Sequence, residues 1–133
     1  MQFSVAVRNR RLDGIETEIG TAAILRIFSG SIPANCAAAS TGTLLVEMTL
    51  PSDWMAAAAS GAKAKAGTWQ DASANATGTA GYFRIFDSTG STCGIQGACT
   101  DTAGAGPMKL STISIVSGEP VTVATFTLTD GNA

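Results

Sequence analysis

The stretch Val121–Thr129 reads VTVATFTLT. In an extended chain Val121, Val123, Thr125, Thr127 and Thr129 fall on one side, and Thr122, Ala124, Phe126 and Leu128 on the other. A run rich in β-branched and aromatic residues with a period of two specifies a β-strand. Comparable runs recur upstream over residues 23–29 (AILRIFS), 43–50 (TLLVEMTL), 81–87 (GYFRIFD), 92–100 and 109–116. A weaker one covers 62–68, where Ala62, Ala64 and Ala66 alternate with Lys63 and Lys65. Turn-forming residues separate them at 30–33, 51–53, 87–90 and 117–120. Six or seven short strands at this spacing predict a mainly β chain, an antiparallel β-sandwich or jelly-roll-like domain. The run Leu25-Arg26-Ile27-Phe28 is echoed by Phe83-Arg84-Ile85-Phe86. The echo is either a duplicated half-sandwich or two central strands using the same residues. Both accounts bury Ile27 and Ile85 on one face and leave Arg26 and Arg84 on the other.

The first twenty residues differ in kind. Ser4 is suited to cap a helix over 5–18, with Gly20 as its stop. Val5, Leu12, Ile15 and Ile19 form one apolar stripe, while Arg8, Arg10, Arg11, Asp13, Glu16 and Glu18 occupy the other faces. Arginines in the first half and glutamates in the last turn oppose the helix macrodipole, at about 0.3 kcal/mol or more per charge. Something other than helix propensity placed those charges. The expected organisation is an amino-terminal amphipathic helix, 1–20, acting as a docking element, followed by one β domain over 21–133. A solvated charged face is the plain account of the arginines; contact with a partner through Arg8, Arg10, Arg11, Leu12 and Ile15 is the sharper one.

Composition narrows the function classes. Ala, Gly, Ser and Thr make up 67 of 133 residues, and no residue is histidine. The commonest general base near neutral pH, every Ser-His-Asp or Cys-His arrangement and His-containing zinc sites are therefore excluded. Neither an enzyme nor a cofactor-binding protein is expected. A net charge of -2 gives no global field for nucleic acid or an anionic membrane. The amino terminus lacks the apolar run of a secretory signal, and no segment is apolar enough to span a bilayer. A soluble protein made in the cytoplasm is expected.

Candidate chemical groups are sparse. Cys93 and Cys99 on one continuous strand would stand about 20 Å apart, beyond disulfide reach, although Gly94 and Gly97 permit a bend. Cys36 with Cys93, loop to strand, is the preferred bridge if one forms; three reduced thiols is the other expectation. No C-x-x-C or histidine is present to build a metal site. Asp53, Asp71, Asp87, Asp101, Glu119 and Asp130 are scattered singly over turns, where turn formation explains them better than paired-carboxylate catalysis. Ser60-Gly61-Ala62-Lys63 fits S-x-x-K without its companion motifs. Gly104-Ala105-Gly106-Pro107 reads as a flexible hairpin loop. Trp54 and Trp69 are either sugar-stacking platforms or hydrophobic anchors for the segment between them. That small-residue segment, 56–78, is expected to be a mobile loop or a surface for close approach of another protein.

Several phrases occur in a specific order: RNRRLDGIETEIGTAAILRIFSGSIPANCAAASTGTLL from Arg8, MTLPSDWMAA from Met48, DASANATGTAG from Asp71, YFRIFDSTGSTC from Tyr82, and the closing VTVATFTLT. In this the chain resembles small β-rich structural proteins of tailed bacteriophages and prophages. The resemblance spans nearly the whole chain and implies a virion component with no catalytic residues. It makes a capsid decoration or cement protein the first expectation, bound in many copies to the major capsid protein or another virion protein, on the capsid exterior. Synthesis in the host bacterial cytoplasm and self-association as a dimer or trimer are implied too. A neck, collar or tail component is the alternative, and a carbohydrate-binding adhesin module comes third.

Overall fold

A computed structural model describes residues 1–131. Within them the chain forms one helix, α1 (Val5–Ile19), and then β1 (Ile24–Phe28), β2 (Leu44–Thr49), β3 (Ala62–Ala64), β4 (Gln70–Asp71), β5 (Gly78–Thr79), β6 (Tyr82–Phe86), β7 (Cys93–Asp101), β8 (Met108–Leu110), β9 (Ser114–Ile115) and β10 (Val121–Thr129). The main sheet has the order β2-β1-β6-β7-β8-β10-β3, with β4 also on β10, while β5 and β9 pair separately. The fold is mainly β and sandwich-like. The ladder doubles back so that β6 and β10 face one another across the core. Phe83 meets Phe126 edge-on with ring centres 5.4 Å apart, and Trp69 and Trp54 extend the aromatic row.

The two echoing segments are direct neighbours, β1 and β6, paired antiparallel with Arg26 opposite Arg84. Leu25, Ile27, Phe83 and Ile85 point into the core and are buried. Arg26 and Arg84 share the opposite face. Like charges directly across a ladder repel, and the two guanidiniums separate. Arg26 turns to Glu47 at 2.6 Å and to the Gly90 carbonyl at 3.0 Å, whereas Arg84 turns under the 29–43 segment. Phe86 lies beneath both cations, at 4.7 and 5.7 Å.

Three details depart from the pattern read in the sequence. The run expected over 109–116 is two strands: β8 stays in the main sheet and β9 leaves it to pair with β5. The break falls where the Thr112 hydroxyl accepts from the Ser114 amide. Segment 56–78 is structured. Ala59 and Ala62 exchange both backbone hydrogen bonds across Ser60 and Gly61, whose φ values of 53° and 75° are what a type I′ hairpin turn requires. Ser60 of the S-x-x-K match is thus a turn residue. From that hairpin β3 and β4 follow one edge of β10, and the alternation runs opposite to polarity: Lys63 is buried and Ala64 exposed.

The third departure is parallel pairing of β7 with β8, Cys99 opposite Met108 and Asp101 opposite Leu110. Parallel neighbours ordinarily need a crossover of about a dozen residues or more. Here pairing is confined to the end of β7, so the loop 102–107 has only a short way to return. It folds over Thr100, whose hydroxyl accepts from the Gly106 amide at 3.3 Å, while Asp101 Oδ1 accepts from the amides of Ala103 and Gly104. A Cβ at Gly106 would lie 2.8 Å from Thr100 Cγ2 and 3.1 Å from the Ala98 carbonyl oxygen. The Gly104–Pro107 run, read as a flexible hairpin loop, is a fold-back between parallel strands.

Candidate functional site

Two polar clusters hold segments against the sheet. The first fixes α1. Ser4 caps it, its hydroxyl accepting from the Val7 amide at 3.3 Å, and the Gly20 amide closes it on the Glu16 carbonyl with φ of 91°. Asn9, Asp13 and Glu16, spaced four and three apart, share one helix face. Their side-chain oxygens accept from the backbone amides of Gly61 (2.9 Å), Ala58 (3.1 Å) and Met55 (3.2 Å). The helix therefore covers an otherwise open edge of the 55–65 hairpin.

Lys63, 3% exposed, locks this contact. Its Nζ lies 2.7 Å from Asp13 Oδ1, 2.9 Å from Glu16 Oε2 and 2.9 Å from the Ala56 carbonyl. Burial alone would lower the Lys63 pKa, but the hydrogen bonds to Asp13 and Glu16 prevail and lift it above 10.5. The Lys63 hydrogen bond, followed by that of the Ala58 amide, holds the Asp13 carboxyl below 3.8. The Asp13 and Glu16 part of the inverted charge order thus has an intramolecular cause. Asp13 and Glu16 stand where the buried ammonium needs them.

The residues expected to meet a partner divide accordingly. Leu12 is buried and Ile15 packs half-buried against the core. Arg8 Nε donates to the Asp130 carbonyl at 2.6 Å, and its guanidinium occupies the space that a side chain at Gly61 would take. Arg11 is 3.2 Å from Asp130 Oδ2 and stacks on Phe3 at 4.9 Å. Ile19 presses on Gly94 of β7, where a Cβ would come within 2.5 Å of it. Arg10 is exposed. So are Met1, Val5 and Val7, at 98%, 51% and 44%. Val5 belongs to the Leu12 stripe, so its exposure means that the first turn overhangs the body. Val7 and Arg10 lie on the outward helix face.

The second cluster pins the 29–43 segment as a strap across the outer face of β1, β6 and β7. Arg84, 2% exposed, donates from Nη2 to the carbonyls of Cys36 (2.8 Å), Ala38 (2.9 Å) and Asn35 (3.2 Å), and from Nη1 to Ser40 Oγ (2.8 Å). No carboxylate takes part. A fan of carbonyl dipoles holds the charge. Tyr82 bonds both the amide and the carbonyl of Thr41, and Gln96 Nε2 donates to the Pro33 carbonyl at 2.8 Å. Arg84 Nε and Gln96 Oε1, on facing register positions of β6 and β7, are both buried without a protein partner.

The three cysteines are unbridged. Cys36, on the strap, and Cys93, at the start of β7, are nonetheless brought to one place: Arg84 bonds the Cys36 carbonyl and lies over Phe86, the residue opposite Cys93. Burial, then the neighbouring Cys36, pushes Cys93 up to about 11. Cys99 is buried apart from them, and burial raises it to about 12. Asp71, Asp87 and Asp101 each accept from amides or hydroxyls of their own turns. The Thr89 hydroxyl and then the amides of Ser91 and Thr92 hold Asp87 below 3.8. Trp54 and Trp69 are buried, their indole N–H groups on the carbonyls of Gly20 and Ala66, so neither presents a face to sugar. No group of three or more metal-ligating side chains occurs among the described residues, and no helix there is long and apolar enough to cross a membrane. No protein family, curated protein or solved structure matches the chain.

Proposed function

We propose that the chain is a virion structural protein of a tailed bacteriophage or prophage, a decoration or cement protein that adds in many copies to the lattice of the major capsid protein. The observation that carries this reading is the overhanging first turn of α1. Its apolar Val5 and Val7, with the basic Arg10 in the next turn, stand exposed on a helix clamped rigidly to the β body. A contact surface that is already ordered loses little conformational entropy on binding. Moderate area per copy then suffices, because repetition over a lattice multiplies it. The resemblance of the ordered phrases to small phage structural proteins supports the same reading.

The test is addition to heads. Purified protein is mixed with particles that lack it, and bound copies are counted against the capsid protein. Comparable copy numbers are expected. The double variant Val7→Asp with Arg10→Glu should lose addition while its thermal midpoint stays within about 3 °C, since surface changes of this kind move stability little. Normal occupancy by that variant would remove this face from the contact. A ring stoichiometry of about six or twelve copies would instead favour a neck, collar or tail position.

A further inference from the structure

We infer that Cys36 and Cys93 are an oxidation-driven lock that closes the 29–43 strap covalently onto the sheet when the protein meets a small-molecule disulfide. The inference is independent of the virion reading and rests on the convergence of two segments. The strap brings Cys36 to β7 because its backbone is gripped from below: Arg84 takes the Cys36 carbonyl itself, and Gln96 and Tyr82 hold Pro33 and Thr41 on either side. Cys93 sits opposite Phe86 at a bulge in the β6–β7 ladder. Arg84 reaches over Phe86 and bonds the Cys36 carbonyl. Cys93 and the Cys36 carbonyl thus both border the Arg84–Phe86 stack. Both residues are half-buried, so a small disulfide can reach them, whereas Cys99 is enclosed.

Exchange proceeds in two displacements. The Cys36 thiolate attacks one sulfur of the small disulfide, forming a mixed disulfide on Cys36 and releasing one small thiolate, which takes up a proton. Cys93, held by burial in the thiol form, then gives up its proton and attacks the Cys36 sulfur, expelling the second small thiol. In sum two protein thiols are oxidised to one disulfide and one small disulfide is reduced to two thiols. The product joins loop to strand across more than fifty residues of chain, which restricts the unfolded state strongly.

The native chain is the material for the test. It is incubated with excess oxidised glutathione, quenched by alkylation and mapped by mass spectrometry without reduction. The intact mass should fall by two hydrogens, with one cross-linked peptide pair containing Cys36 and Cys93, and with Cys99 alkylated only after unfolding. Strap amides over 35–41 should exchange about tenfold more slowly, and the thermal midpoint should rise on the order of 10 °C. A reducing dithiol should reverse both changes, and Cys36→Ser should show neither. Persistent glutathione adducts, or linked dimers without the 36–93 pair, overturn the inference. So does a 36–93 bond that leaves strap exchange unchanged.

Discussion

Lys63 shows what one buried charge does to the residues around it. Removing one partner of a buried ion pair typically costs about 3–5 kcal/mol; Asp13 and Glu16 keep part of their hydration, with 44% and 20% of their side chains exposed, which lowers the cost. Lys63→Met is therefore expected to lose about 2–3 kcal/mol in urea titration. The sign of the pH dependence follows from the two shifts. Asp13 is depressed on folding, so its contribution is present above the unfolded value near 3.8 and disappears as the pH falls through its lower folded value. Lys63 is raised, so its contribution is complete below 10.5 and is lost as the pH climbs through its higher folded value. Stability measured against pH should drop on the acid side of about pH 4, and Asp13→Asn should flatten that limb. An acid limb unchanged in the variant would contradict the pairing. Sequence alone marked the helix charges as misplaced without supplying the reason, because Lys63 lies about fifty residues away and its alternation with alanine gave no sign of which face turned inward. Arg84 was legible as facing away from Ile85. Its burial was not, since it depends on a loop whose small residues let carbonyl groups crowd a guanidinium.

At the scale of elements, the helix, β1, β2, β6, β7 and β10 lie within a residue or two of their expected limits, because each carries a strong periodic signal and firm turn residues. The elements that were not legible are β4 and β5, defined by their neighbours, whereas β3 falls at the start of the weak run over 62–68 and β9 toward the end of that over 109–116. β3, β4, β5 and β9 are two or three residues long. Such segments become strands only when β10 or each other supply hydrogen bonds. The parallel β7–β8 contact was hidden for another reason: a glycine-rich turn between two strands ordinarily signals a hairpin. Gly106→Ala tests the fold-back. Its methyl would crowd Thr100 Cγ2, and a loss of about 1–2 kcal/mol is expected. Thr100→Ser removes that methyl group while keeping the hydroxyl that accepts from the Gly106 amide, so the double variant should recover part of the loss. Strict additivity of the two changes would argue against this contact.

Across the whole molecule, the amino-terminal helix is clamped onto the β body. A fifteen-residue helix is marginal by itself in water, and the hairpin, Lys63 and Asp130 supply what it lacks. In native-state hydrogen exchange the amides of the middle of α1 are expected to open with free energies approaching those of β10, and to lose that protection selectively in Lys63→Met. Helix amides exchanging at nearly unprotected rates in the parent chain would mean that the clamp does not hold in solution. The Arg8 contact with the Asp130 carbonyl joins positions 122 apart. At roughly 5–20 residues per second, a ribosome makes residue 130 on the order of 10 s after residue 8. During that interval the helix has neither its final anchor nor the β10 edge along which the Lys63 strand lies. The first element to be translated is thus among the last to be secured, and a chain whose synthesis stops early is left with a loose, amphipathic amino-terminal arm by which quality-control factors can distinguish it from a finished one.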